Sequence, residues 1–279
     1  QFWNGATWGG AYTLNPGIGE VNLYSSSWTI TSVPAGANLP DGTSYYITSI
    51  GYDSADGGGN QEAWFSVRGS TFVVDRSSPS TTIGSPAHNG MLSALGSITG
   101  TVADLPGLNA GMERVEGRIQ RMDNGQYWDG SGWLGGETWV LASTPTTTSW
   151  SLPGSGQSLP VWGHNITYQI AARAKDNVGN QETAFSVTVD SIAVTFDLLH
   201  ATAAVSAPTL ASGSYYLNPG QTILQGTAVD SPADVATVGI AISSSGGSGG
   251  WYTGGVGGTF TSGTAVYEST TNYTDNAPG

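Results

Sequence analysis

The feature that most constrains this chain is an aromatic and glycine-containing motif that occurs three times. It reads YWDGSGW at residues 127–133, FWNGATW at residues 2–8, and in a shorter form WYTG at residues 251–254. A motif that returns with the same spacing is the signature of a chain built from repeated structural units. The sequence therefore predicts a series of modules, each of about 100 residues, rather than one large domain.

Composition and periodicity favour strands over helices. The chain has 42 glycines and is rich in serine and threonine, which suit turns and strands better than helices. Apolar and polar residues alternate at 97–104, 115–122 and 168–174, and Asp123-Asn124-Gly125 is a hairpin turn signal. Further strands are expected at 137–143, 148–152 and 184–189. These features predict an all-β chain of antiparallel β-sandwich modules.

Aligning the copies of the motif predicts one complete module and two partial ones. Residues 79–190 form the complete module. Residues 1–78 match its closing half, since Trp28 matches Trp150 and the tripeptide 60–62 matches 180–182. Residues 191–279 match its opening half, where 226–230 resembles 100–104. We expect either that a longer chain continues beyond both ends or that partial modules of neighbouring copies complete each other.

Charge and cysteine content exclude several classes of function. The chain has 20 acidic and 7 basic residues and a formal net charge of −13, so it lacks the clustered basic residues that nucleic acid binding needs. It has no cysteine, which excludes disulfides, thiolate metal sites and cysteine catalysis and favours a bacterial or archaeal source. No apolar run is long enough to span a membrane.

Two short segments resemble those of bacterial Ig-like and fibronectin type III-like repeats. Residues 173–180 read RAKDNVGN, similar to the turn near the end of such repeats, and residues 75–79 read DRSSP, similar to the junction between them. Residues 190–193, DSIA, depart from the junction pattern. The resemblance implies tandem Ig-like modules of a large extracellular or cell-surface protein, acting as an adhesin stalk, an envelope layer or a filament. The partners would be neighbouring modules or other copies of the protein.

The aromatic residues of the repeated motif are the first candidate site. Their flat apolar rings suit contact with sugar rings, which makes a carbohydrate-binding or adhesive module for cell-surface glycans the alternative function. The competing interpretation is that the rings fill the sandwich core and cover the glycine-rich turn, as tryptophan does in other β-sandwiches. The residues are Trp3, Trp8, Trp128, Trp133, Trp139 and Trp251.

A calcium site in two related turns is the second candidate. Calcium requires several oxygen ligands, and both turns are rich in carboxylate and amide side chains. The competing interpretation is that aspartate and asparagine occur there because they hydrogen-bond their own backbone in turns. No other cofactor is expected. The candidate ligands are Asp53, Asp56, Asn60 and Glu62 in the first turn, and Asp176, Asn177, Asn180 and Glu182 in the second.

Catalysis is not expected from this sequence. His88, His164 and His200 are scattered, and no nucleophile motif, metalloprotease motif or phosphate-binding loop accompanies them. Asn165 and Asn272 begin the two N-glycosylation patterns of the chain. The sequence thus favours an extracellular structural segment that is not an enzyme.

Overall fold

The chain is almost entirely β-structure. The computed structural model describes residues 1–3, 7–9, 21–23, 26–30, 33–55, 60–63, 69–105, 107–143, 148–207, 224–244, 248–253 and 259–269. Within these ranges there is no α-helix, only one short 3-10 turn at Gly36–Asn38. No helix in this described part could cross a membrane. The all-β class predicted from the sequence is confirmed.

Twenty-two strands are defined within the described ranges. The first half of the chain contains β1 (Phe2–Trp3), β2 (Trp8–Gly9), β3 (Val21–Leu23), β4 (Trp28–Ile30), β5 (Thr43–Ile47), β6 (Ser70–Val74), β7 (Ser80–Ser85), β8 (Gly90–Leu92), β9 (Ile98–Ala103), β10 (Met112–Arg121), β11 (Tyr127–Trp128) and β12 (Trp133–Leu134). The second half contains β13 (Val140–Leu141), β14 (Ser149–Leu152), β15 (Ile166–Asp176), β16 (Ser191–Phe196), β17 (Thr202–Ala207), β18 (Gln225–Val229), β19 (Gly239–Ile240), β20 (Trp251–Tyr252), β21 (Phe260–Ser262) and β22 (Glu268–Ser269).

The strands belong to two compact units, and the larger one is built on a sandwich of two sheets. This unit comprises residues 1–88, 96–160 and 168–193. Its main sheet has the order β12-β11-β10-β15-β16, with β13 also paired to β10. A three-stranded sheet has the order β14-β9-β7, and the ribbons β1-β2, β3-β4 and β5-β6 complete the unit.

The sandwich core lies between the alternating faces of the two sheets. On β10 and β15 the buried residues recur at every second position, as the sequence pattern predicts, with Ala171 of β15 buried in addition. Val115 and Ile119 of β10 and Ile170 of β15 are almost completely buried. Leu152 of the smaller sheet packs directly against Gly117, where a Cβ atom would collide with its side chain. Glycine at this position therefore lets the two sheets approach closely.

The smaller unit comprises residues 89–95, 161–167 and 194–279. Residues 194–196 of β16 pair in parallel with β8, and Trp162 stacks on Phe196 with ring centroids 4.4 Å apart. The other described strands form the ribbons β17-β18, β19-β22 and β20-β21. Among the described residues, this unit has fewer buried apolar side chains than the larger one, and Val205 and Val229 on the β17-β18 ribbon are exposed.

Two predicted strands are wrong in extent or position. Of the segment 137–143 only β13 is a strand. The predicted strand at 184–189 is largely irregular, because the N–H groups of Val189, Asp190 and Ser191 all donate to the Ser186 carbonyl and close a turn there. The strand that follows this turn is β16. Local turn hydrogen bonds here override an alternating apolar pattern.

Candidate functional site

The aromatic motif forms a compact ring cluster on the main sheet. Trp128 and Trp133 face each other across β11 and β12 with their ring centroids 5.3 Å apart and their planes at 63°. Trp133 in turn stacks on Tyr168 of β15 at 5.8 Å and 30°. The cluster thus ties the motif hairpin to the strand that carries the buried face of the sheet.

The same ring geometry occurs in the first copy of the motif. Trp3 and Trp8 pair across β1 and β2 with centroids 5.5 Å apart and planes at 61°. Trp8 lies 5.2 Å from Tyr45 of β5 at 30°. Tyr45 also stacks on Phe72 of β6. Distances and angles in the two copies agree closely, which means that the sequence repeat is also a repeat of packing.

Most ring faces of the second copy are covered by other side chains. Trp128 is only 7% exposed, and its Nε1 donates to the Ser158 carbonyl at 2.8 Å. The Arg121 guanidinium lies 5.4 Å from the centroid of Trp133. Trp139 is stacked on Phe185 and covered by the Arg173 guanidinium at 4.0 Å. The two motif tryptophans meet edge to face and do not form a coplanar platform.

The shorter third copy places Trp251 in β20, where it is partly exposed. Its neighbour Tyr252 lies 5.3 Å from Phe260 of β21. The pairing differs from the first two copies, because the partner ring comes from the opposite strand β21 and not from a second tryptophan of the motif. The resemblance of this copy is therefore looser.

The turn after β15 is closed by its own aspartate. One carboxylate oxygen of Asp176 accepts the N–H groups of Val178, Gly179 and Asn180, at 2.9, 2.7 and 2.8 Å. The other accepts the Asn180 side-chain amide at 2.7 Å. Asn177 donates its amide to the Ala110 carbonyl at 2.8 Å. These bonds are those of an aspartate that organises a turn.

The earlier turn repeats this arrangement at the surface. Asp53 accepts the N–H groups of Ala55 and Asn60, and its second oxygen accepts the Asn60 side-chain amide at 2.8 Å. Hydrogen bonds from Asn60 and Ala55 lower the pKa of Asp53. Glu62 accepts the Gly51 N–H at 3.2 Å. The predicted ligands of this turn thus bond to their own loop, and Asp56 lies outside the described residues.

Glu182, the counterpart of Glu62, points away from the turn and anchors β7. It is 9% exposed and accepts the N–H and the hydroxyl of Thr81 at 3.1 and 2.8 Å. It also accepts the Ala174 N–H at 3.3 Å. Burial raises the pKa of Glu182, although the bonds from Thr81 act in the opposite direction. The residue is a structural link, because its carboxylate joins β7 to β15.

Three aspartates that are distant in sequence converge where β6, β9 and β15 end. Asp75 follows β6, Asp104 follows β9, and Asp176 is the last residue of β15. Each offers a carboxylate oxygen, and these oxygens all lie within 4.8 Å of one another. We call these three residues the aspartate cluster. Of the predicted calcium ligands only Asp176 belongs to it.

Within the aspartate cluster, Asp75 and Asp176 are well hydrogen-bonded and Asp104 is not. Asp75 accepts the N–H groups of Ser77 and Ala110, at 3.2 and 2.6 Å. Both carboxylate oxygens of Asp104 are inaccessible to solvent and have no hydrogen-bond partner among the described residues. Burial and the charges of Asp75 and Asp176 raise the pKa of Asp104, while the nearby Gly111 N–H, which is donated to Asn109, opposes the rise.

Sequence reasoning missed Asp75 and Asp104 as site residues. In the sequence, Asp75 belongs to the junction motif DRSSP, and Asp104 ends a predicted strand. Neither position by itself indicates a binding site. One feature of the sequence could have indicated them: Asp75 and Asp104 each follow a strand and precede a turn. Loops of neighbouring strands meet at such positions. Which loops meet depends on the strand order, and this is a property of the fold.

The outer face of β10 and β15 carries most of the positive charge. Four of the seven basic residues lie on this face, Arg114, Arg118, Arg173 and Lys175, whereas Arg121 of β10 lies on the face of Val115 and Ile119. Glu116 binds two of them, Arg114 and Arg173, each at 2.8 Å. Burial acts to raise the pKa of Glu116, but the hydrogen bonds from Arg114 and Arg173 outweigh it and lower the pKa.

The remaining candidates are dispersed. Asn165 is exposed in the turn directly before β15, whereas Asn272 lies outside the described residues. His88 accepts the Ala193 N–H, and His164 accepts the Leu198 N–H. The two histidines thus serve as acceptors for backbone groups.

Comparison with known proteins does not add a family or a relative. No protein-family model matches the chain, and no curated protein matches it at a significant level.

Proposed function

We propose that this chain is a structural segment of an extracellular or cell-surface protein, composed of tandem Ig-like β-sandwich modules. Its role is to provide an extended scaffold through module packing, and not to catalyse a reaction. The observation that carries the proposal is the repeated ring cluster, Trp3-Trp8-Tyr45 and Trp128-Trp133-Tyr168, with nearly the same distances and angles.

The turns that follow β5 and β15, the strands that carry Tyr45 and Tyr168, support the same repeat. Asp53 and Asp176 each accept the side-chain amide of an asparagine in the same loop. The backbone partners also correspond, because the Glu62 N–H donates to Gly51 and the Glu182 N–H donates to Ala174. Because the ring cluster and the turn are repeated together, they favour a repeated structural module over an isolated binding pocket.

A repeated junction supports the tandem arrangement. Asp75 accepts the Ala110 N–H with one oxygen and the Ser77 N–H with the other. Asp197 does the same with Ala233 and Leu199, at 3.0 and 3.2 Å. This correspondence favours a repeat that runs from Asp75 to Asp197, so that β16 is the last strand of the middle module. The boundary at residue 190 suggested by the sequence is less well supported.

The glycan-binding alternative has weaker support from the geometry. A sugar platform requires accessible ring faces, but Trp133 and Trp139 are covered by aromatic and arginine side chains. Opening such a site would break cation–π contacts worth about 0.5–1 kcal/mol each. Titration with soluble glycans, followed by tryptophan fluorescence, is expected to give no saturable change in wild type. A saturable change lost in Trp133→Ala would instead favour the alternative.

Single-molecule extension tests the structural proposal. The middle module should unfold in one dominant step, and its roughly 120 residues should add about 40 nm of contour length. The partial copies should extend at lower force because they lack one half of the sandwich. Gradual extension of the whole chain without a dominant step would contradict the proposal.

The location can be tested separately on intact cells of the source organism. Externally added protease should cleave the protein while an internal marker protein remains whole. Protection of the protein until the cells are lysed would contradict a surface location.

A further inference from the structure

We propose that the aspartate cluster, Asp75, Asp104 and Asp176, is a calcium-binding site that ties together the ends of β6, β9 and β15. This goes beyond the proposed structural role, since it assigns a ligand to a specific site. It also differs from the two calcium sites predicted from the sequence, each of which consisted of residues from a single turn.

The spacing of the carboxylates fits a shared cation. Calcium binds oxygen ligands at about 2.3–2.6 Å, so two ligand atoms on opposite sides of the ion are up to about 5 Å apart. The ligand atoms of the three aspartates all lie within 4.8 Å of one another. One cation can therefore contact all three carboxylates with little movement.

Asp104 supplies the second, independent observation. Both of its oxygens are shielded from solvent and have no hydrogen-bond partner in the described part of the chain. A carboxylate in this state lacks the hydrogen bonds that buried polar groups normally make. It stands beside two further carboxylates, so the electrostatic repulsion adds to the cost of burial. A cation between them removes both penalties at once.

None of the ion pairs in the described part of the chain joins a basic side chain to the aspartate cluster. Asp75 and Asp176 bond to backbone N–H groups and one amide, which leaves lone pairs of their carboxylates for a cation. A fourth carboxylate, Asp41, is close enough to repel Asp104. Hydrogen bonds from the Ser77 hydroxyl and the Arg76 backbone N–H lower the pKa of Asp41, so it stays charged beside the cluster. The local field therefore favours a divalent cation.

The ligand chemistry selects calcium among divalent cations. All donors are oxygens, whereas zinc and copper sites in proteins are built mainly on nitrogen and sulfur ligands. Magnesium requires near-ideal octahedral geometry and retains its water. Three carboxylates on separate chain segments, one of them free to bind with both oxygens, suit the flexible coordination of calcium, with water completing the shell.

Calcium binding would fix the entry to the middle module. Asp75 begins the link between β6 and β7, while Asp104 and Asp176 end strands of the two facing sheets. An ion shared by all three restrains this link against both sheets. The expected Kd is in the range typical of extracellular modules, about 0.1–1 mM.

Calorimetric titration of the full chain with CaCl2, combined with thermal unfolding in CaCl2 and in EDTA, tests the site. Wild type should bind with one saturable transition, and 10 mM calcium should raise Tm by about 5 °C over EDTA. In Asp104→Asn the binding and the Tm shift should both disappear. In EDTA this variant should be at least as stable as wild type, because it removes a buried and unpaired charge. A merely structural aspartate would not show this combination.

Asp53→Asn is the matched control, since Asp53 occupies the corresponding turn but lies outside the cluster. It should retain the full calcium response. Absence of binding in wild type at 10 mM calcium, an equal response to magnesium, or an unchanged response in Asp104→Asn would each overturn the proposal. A lost response in Asp53→Asn would overturn it as well. Binding is measured independently of cellular location or mechanical role, so these results can be separated from a failure of the proposed function.

Discussion

Trp28 and Trp150 occupy matching positions in two copies of one sequence pattern, yet their environments differ completely. Trp150 on β14 is 3% exposed, whereas Trp28 on β4 is 48% exposed. The difference arises from the neighbouring strand. Trp150 lies over Gly100 of β9, and its Nε1 donates to the Thr101 carbonyl at 3.0 Å. No described residue plays the part of β9 for Trp28.

The glutamates show the same contrast. Glu182 is buried and holds β7 through Thr81, while Glu62 bonds to Gly51 at an exposed position. The ring cluster and the turn thus form in both copies. Burial of the matching residues depends on the opening strands, which are present in the middle copy. The two copies therefore separate what a motif specifies locally from what the complete sandwich adds.

Removal of the matched tryptophans should give the largest difference between the copies. Trp150→Ala should lower the free energy of unfolding by about 3–5 kcal/mol, as expected for a large aromatic residue removed from a core. Trp28→Ala should cost less than about 1 kcal/mol because half of its surface is already exposed. Urea unfolding followed by circular dichroism measures both. Equal losses would show that the burial difference has no energetic importance.

The close approach of β9 to Trp150 can be tested at Gly100. A methyl group there would collide with the Thr82 carbonyl and would lie 2.6 Å from the Trp150 ring. Gly100→Ala should therefore destabilise the protein by about 1–3 kcal/mol. Gly96→Ala is the control, since its added methyl group meets no atom within 4 Å, and it should be close to neutral. The midpoint of urea unfolding reports both effects.

The matched glutamates should give a smaller contrast. Glu182→Ala leaves the buried N–H of Thr81 without an acceptor, while the Thr81 hydroxyl keeps the Ala172 carbonyl, and the loss should cost about 1–3 kcal/mol. Glu62→Ala should cost less than about 1 kcal/mol at its more exposed site. The difference between the urea-unfolding midpoints of the two variants measures this contrast. A larger loss in Glu62→Ala would contradict the account of the opening strands.

The charged face of β10 and β15 predicts a modest pH effect in the middle copy. Because the folded-state pKa of Glu116 is lowered, its contribution to stability is present above the unfolded value of 4.5 and is lost as pH falls through the lower folded value. Glu116→Gln should thus reduce stability at neutral pH and flatten the loss of stability on acidification. Unfolding free energies measured between pH 7 and pH 3 provide the test. If the free energy of unfolding falls with pH as steeply in this variant as in wild type, Glu116 makes no such contribution.

Much of the fold could be predicted from the alternation of apolar and polar residues along the strands and from the turn motifs between them. The faces of β10 and β15 follow the predicted pattern, and the turn at 123–125 lies where Asn124-Gly125 indicates it. The strand predicted at 184–189 is wrong because the turn bonds to Ser186 are not visible as a sequence pattern. Residues of a single turn could be predicted to lie together, as Asp176 and Asn180 do.

The aspartate cluster could not be predicted in the same way. Asp75 and Asp104 meet Asp176 only because β6, β9 and β15 end at the same place, and that depends on strand order. Sequence patterns with a period of two specify faces of strands, but they do not specify which strand ends are neighbours. Sequence patterns of this kind therefore do not predict which distant strands pair.

Hydrogen exchange on the full chain tests the central comparison most directly. Amides at 168–174 of β15 should open only with global unfolding, because β15 is paired on both sides, with β10 and β16. Amides at 43–47 of the matching strand β5 should exchange at least about 100-fold faster, because among the described strands β5 pairs only with β6. Mass spectrometry of peptides that contain these segments gives both rates from one sample. Equal protection of β5 and β15 would contradict the claim that the opening strands stabilise the middle copy.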